Sequence, residues 1–175
     1  MRRPIEPGIR IGDPGEDDSE EARLRAALKE VASHWASGVA VVAVRNGSAF
    51  EAITVSSFLT VSLDPPIILV SIDRQAAIVP LLDAAARFTV SVLAATQQRA
   101  ASLIADRVPT MRTLFSADAD PVLAGAVHAL VCRTEDVHPA GDHRLYVARV
   151  EQVLPGAETA PLLYYRRRWR RLEGE

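Results

Sequence analysis

Residues 52–73 read AITVSSFLTVSLDPPIILVSID, and this stretch decides the fold. It opens on the end of an apolar run and passes three hydroxyl residues, Thr54, Ser56 and Ser57. It then bends at Leu63-Asp64-Pro65-Pro66 and closes on the apolar run IILVSI. Prolines beside an aspartate fix a bend. A short β-branched apolar run bounded by turn signals reads as a buried strand. The hydroxyl cluster can hydrogen-bond the oxygens of a flat heterocycle or a phosphate. It can equally be a polar turn whose serines bond their own backbone.

Upstream, residues 39–44 (VAVVAV) suit a strand buried on both faces, and Asn46-Gly47 is a strong hairpin signal that returns the chain through residues 48–54. Earlier still, Ser19 can cap a helix with Glu20 and Glu21 in its first turn. Leu24, Ala27, Leu28, Val31, Ala32 and Trp35 recur at spacings of three and four, an amphipathic pattern that Gly38 is expected to end. Downstream, residues 76–86 and 97–104 read as helices, with Pro80 tolerated in a first turn. Residues 88–93 (FTVSVL), 127–133 and 147–153 read as strands, with Pro139-Ala140-Gly141-Asp142 turning between the last two. Residues 106–121 read as loop, and 162–165 with 169–172 as a final strand. Strand pairs joined by tight turns imply antiparallel pairing. The expected fold is mainly β with short helices, a six- to seven-stranded antiparallel barrel with the helices packed on it.

The chain has 175 residues, 49% of them apolar, enough for one domain with a real core. Residues 1–18, broken by Pro4, Pro7, Gly8, Gly12, Pro14 and Gly15, read as a tail, and 19–175 as a single domain. Twenty basic and 22 acidic residues leave a net charge of −2, so no global field draws the protein to DNA or to an anionic membrane. Cys132 is the sole cysteine, which excludes an intramolecular disulfide and a Cys-rich metal site. No apolar run approaches the ~20 residues of a membrane span, and the N-terminus has prolines and acids where a signal peptide has an apolar core. A soluble cytoplasmic protein without a metal is expected.

Two further features carry chemistry. His143 follows Gly-Asp in a turn; such a histidine serves either as a polar turn residue or as a ligand that titrates near neutrality. Residues 166–171 (RRRWRR) form the densest basic cluster. A solvated strand explains it, and so does contact with a dinucleotide pyrophosphate.

Five blocks, in order, resemble the flavin-reductase-like domain family. They are WASGVAVVAV from Trp35, AITVSSFLTVSLDPPIILVSIDRQA from Ala52, ARFTVSVL from Ala86, the Gly141-Asp142-His143 turn, and PLLYYR from Pro161 to Arg166. Together they span about residues 35–172. The resemblance implies an FMN-binding split barrel that forms a homodimer with flavin near the subunit interface. It implies that Thr54, Val55, Ser56 and Ser57 bond the polar edge of the isoalloxazine. Ser71, Ile72, Asp73, Arg74 and Ala77 would lie along the ribityl chain and phosphate. Ser91 and Gln98 fall at further flavin positions, His143 at the nicotinamide side as the catalytic residue, and Tyr165 and Arg166 at the mouth.

The implied activity is an NAD(P)H:flavin oxidoreductase that reduces FMN, or FAD, with NADH or NADPH as co-substrate and supplies reduced flavin to a separate monooxygenase. No GxGxxG turn is present to hold the dinucleotide. The chain has Ala52 and Ala86 where the family has glycines, Ser91 for an asparagine, Ala77 for a serine, and Arg167-Arg168-Trp169 near its end. These departures keep two alternatives open: an oxidase or monooxygenase subunit that retains its flavin, and a non-catalytic flavin- or haem-binding module.

Overall fold

The valine-rich run forms strand β2 (Ala40–Asn46), and it is continuous because both of its faces are buried. Ala40, Val42 and Val44 point into one apolar cluster with Ile68, Val70, Ile72, Phe88, Val90 and Tyr146. Val39, Val41 and Ala43 point the other way, into a second cluster with Phe50, Leu93, Ile104, Met111 and Leu162. A strand enclosed on both sides cannot afford the polar alternation of a half-exposed one.

The computed structural model describes residues 19–172, so the tail expected at 1–18 lies outside the described residues. The chain divides into two units after Trp35. In the first, α1 (Glu20–Ser33) is capped as its sequence predicts, the Ala22 N–H donating to Ser19 Oγ at 3.2 Å. The helix stops short of Gly38, however. His34 is its C-cap, and Gly38 pairs with Leu163 in a two-residue strand, β1 (Ser37–Gly38).

In the second unit, β2 turns back into β3 (Ala49–Val55), followed by β4 (Phe58–Leu63), β5 (Pro66–Asp73), α2 (Val79–Ala84), β6 (Arg87–Val92) and α3 (Gln98–Ala105). A 3₁₀ helix (Pro109–Leu114) leads to the long pair β7 (His128–Ala140) and β8 (His143–Pro155), and the short strands β9 (Leu163–Tyr165) and β10 (Arg168–Arg170) follow. The main sheet is antiparallel, with seven strands in the order β3-β2-β6-β7-β8-β5-β4; β1, β9 and β10 form a separate three-stranded sheet. Its two edge strands are β3 and β4, yet only Ser56 and Ser57 separate them in sequence. Three Cα steps keep Val55 and Phe58 within about 11 Å. The sheet therefore curls until its edges meet without pairing, which is a split barrel.

Several boundaries moved. β4 was not expected as a strand: its residues are mostly exposed and its register slips between Thr60 and Ser62, so its apolar pattern is weak. The first hairpin is present, but Asn46 pairs with Ala49 and the loop is Gly47-Ser48, with Gly47 at φ +59°. α2 begins only at Val79, because residues 74–78 are spent on turns. The segment expected as loop holds the 3₁₀ helix, whose Met111 is buried, and a bridge from Phe115 to Leu123.

Candidate functional site

The serine link at the split is fastened to its neighbours. Ser57 Oγ donates to the Ser71 carbonyl at 2.6 Å and accepts from the Ser71 N–H at 3.3 Å, tying the start of β4 to the end of β5. Two residues on, Asp73 pairs with His143 in the β5–β8 ladder, and the Arg74 N–H donates to the Asp142 carbonyl at 3.0 Å. Ser56-Ser57, Ser71–Arg74 and Asp142-His143, far apart in sequence, thus share one corner of the barrel. Ser56, Asp73, Arg74 and Ala77 are exposed there, whereas Val55 and Ile72 turn their side chains into the core and offer only backbone.

The turn after β5 is built by Asp73. Its carboxylate accepts from the Gln75 N–H at 2.8 Å and its carbonyl from the Ala76 N–H at 2.9 Å. Such a side chain folds a turn without help from secondary structure. The turn runs into α2, which is held to β8 from the other side. Tyr146, fully buried, donates its hydroxyl to Asp83 Oδ1 at 2.9 Å, and the Arg144 guanidinium pairs with the same carboxylate. Burial first, and the neighbouring carboxylate second, push the Tyr146 phenol above its ordinary range. Sequence reading missed this clamp. The signals were a lone aspartate in the otherwise apolar VPLLDA and an inward-facing tyrosine in a β-strand.

At the β7–β8 turn, His143 Nδ1 lies 2.7 Å from Asp142 Oδ1. The hydrogen bond from the imidazole, and then its charge, hold the Asp142 carboxyl below the usual carboxylate range. A carboxylate in this position orients the ring and fixes which nitrogen carries the proton. His143 itself is only partly exposed.

The other expected residues stand elsewhere. Thr54 Oγ1 donates to the Ala101 carbonyl at 2.9 Å, tying β3 to α3, whose first residue, Gln98, is half-buried. Its neighbour Gln97 is the structural one, accepting from the Ala94 N–H and donating to the Ala124 carbonyl. Ser91 is fully buried on β6, with its Oγ accepting from the Leu123 N–H at 3.3 Å. Tyr165 and Arg166 lie on the β9–β10 hairpin, which is joined to β1. A cavity of about 580 Å³ opens at the opposite end of the β7–β8 pair, lined by Leu114, Phe115, Leu123, His128, Leu154 and Gly156 among others. None of the expected site residues lines it.

This arrangement offers serine hydroxyls and a guanidinium on one side and an oriented imidazole on the other, with no nucleophile set against a base. Residues 32–173 match the family model described as the flavin reductase like domain. The chain belongs to the flavin-reductase-like family. The reductase component of 4-hydroxyphenylacetate 3-monooxygenase from Thermus thermophilus is 36% identical over 149 residues, covering 85% of this chain and 97% of that one. Among solved structures, the NADH:FAD oxidoreductase SgcE6 of Streptomyces globisporus, with NAD and FAD fragments, superposes with a TM-score of 0.81 at 32% identity, covering 87% and 95% of the two chains. BorF, the flavin reductase component of a bacterial two-component tryptophan halogenase, gives 0.78 at 35%, covering 86% and 99%. Each of these flavin-reductase-like relatives matches this chain over nearly its whole length.

Proposed function

We propose that this chain is an NAD(P)H:flavin oxidoreductase that reduces FMN or FAD and releases it to a separate monooxygenase. The observation that carries the reading is the fastening of Ser56-Ser57, Ser71–Arg74 and Asp142-His143 into one corner. The donor set fits a flavin. Hydroxyls suit the carbonyl edge of a flat heterocycle, and the exposed Arg74, in the turn that leads to α2, carries a guanidinium suited to a phosphate. When bound, the flavin supplies the hydride-accepting chemistry, which the protein need not provide. The protein's part is to orient. Ser56 and the backbone around Val55 and Ser57 face the polar edge, and Asp73, Arg74 and Ala77 follow the chain toward the phosphate. His143, aligned by Asp142, positions the nicotinamide. Ser71 and Ile72 carry the β5 side of this wall, while the Thr54 and Ser91 hydroxyls are spent on backbone in the second apolar layer.

A homodimer completes the proposal. Leu59, Val61 and Leu63 are exposed on the edge strand β4, directly after the serine link, and an exposed apolar strand edge calls for a partner. Among the described residues, no helix is long and apolar enough to cross a membrane, and we place the protein in the cytoplasm.

Titration of FMN, followed by quenching of its fluorescence, tests the site. Saturable quenching is expected, weakened on the order of tenfold by Arg74→Ala, the loss of one charge-assisted hydrogen bond. Absence of saturable flavin binding by the wild type would overturn the reading.

A further inference from the structure

The β9–β10 hairpin carries arginine at 166, 167, 168, 170 and 171, and all five are exposed. Tyr165 pairs with Arg168, which leaves Arg166-Arg167 as a two-residue loop. Both loop residues sit at positive φ, +49° and +60°. A tight hairpin of this type requires that backbone, and glycine or asparagine adopts it with least strain. Arginine at both positions is a conformational cost that turn formation does not explain, and strained residues cluster where a side chain serves a ligand.

The support under these side chains is stiff. Trp169 packs against Tyr164 with ring centroids 5.1 Å apart, Tyr164 pairs with Ser37 of β1, and the Arg166 guanidinium lies over the Tyr165 ring at 5.6 Å. The hairpin is also joined to the candidate site. β1 runs through Val39 into Ala40, whose partner Val55 immediately precedes Ser56-Ser57. The chain lacks a Rossmann turn, so the phosphates of a dinucleotide need cationic partners from elsewhere. The net charge of −2 makes the cluster a local feature rather than a nucleic-acid-binding field.

We propose that the Arg166–Arg168 hairpin is a phosphate-binding arm for the nicotinamide dinucleotide, with its guanidinium forks on the pyrophosphate or on a 2′-phosphate. This rests on the reductase reading above and assigns the part of the co-substrate that His143 does not touch.

The test is equilibrium binding of NAD⁺ and NADP⁺, followed by protein tryptophan fluorescence, with a thermal melt of each variant. Arg167→Gly removes one guanidinium and relaxes the turn. Its melting temperature is expected to rise while dinucleotide affinity falls on the order of tenfold and FMN affinity holds. Arg168→Gln, outside the turn, is expected to weaken the dinucleotide without the gain in stability. Loss confined to NADP⁺ assigns the 2′-phosphate, and equal loss for both assigns the pyrophosphate. Unchanged dinucleotide affinity in both variants overturns the proposal, and so does an equal loss of FMN affinity, which would give the arm to the flavin's phosphate. Wild type that binds a dinucleotide through these arginines without turnover would contradict the reductase reading and still support the arm.

Discussion

Asp142 and His143 act as one unit, and acid separates them. The Asp142 carboxyl is lowered chiefly by the hydrogen bond from His143. A carboxyl depressed in the folded state stabilises it while ionised, above the ordinary carboxylate range, and that contribution is lost as pH falls through the depressed value. Melting temperature measured from neutral to acid pH is therefore expected to fall less steeply in Asp142→Asn than in the wild type. A parallel fall in the two proteins would detach the pair from acid stability. Cys132 is the opposite case. It is fully buried, and burial pushes its thiol up to about 12. A thiol so protonated and enclosed reacts little. Native protein at mildly alkaline pH is expected to resist a thiol reagent and to label on unfolding; fast native labelling would contradict this.

Among the elements, α2 matters most for the site because the turn after Asp73 enters it. Its tie to β8 is the Asp83 carboxylate, shared by Tyr146 and Arg144. Tyr146→Phe keeps the ring in the core and removes one hydrogen bond to a charged group, an expected cost of about 1.5–3 kcal/mol in denaturant unfolding. A change within error would show the hydroxyl to be idle.

The sequence made β2 legible because burial on both faces forces an uninterrupted apolar run, and β5 and β6 because their apolar residues are broken only by Ser71 and by the buried Thr89 and Ser91. It concealed β4, whose exposed residues and slipped register leave no clean alternation. It concealed the end of α1 as well, because Gly38 invites a helix stop that His34 already provides. At the site, the Gly-Asp-His turn and the serine link were readable as motifs. What they touch was not, because the Ser57–Ser71 and Asp73–His143 contacts depend on which strands pair and in what register. Thr54 and Ser91 show the limit of motif reading: their hydroxyls bond backbone in the second apolar layer, a partnership invisible before the chain is folded.

For the homodimer proposed above, sedimentation is expected to give twice the 19.0 kDa chain mass. A monomer at micromolar concentration would contradict that, and Leu63→Glu is expected to shift a dimer toward monomer. The central claim is that one barrel corner brings a flavin and a nicotinamide together. Its most direct test is the loss of nicotinamide absorbance in air when purified protein meets NADH or NADPH with added FMN or FAD. The structure predicts flavin-dependent turnover, slowed when His143 is replaced by alanine. No turnover with any pairing of nucleotide and flavin would contradict it.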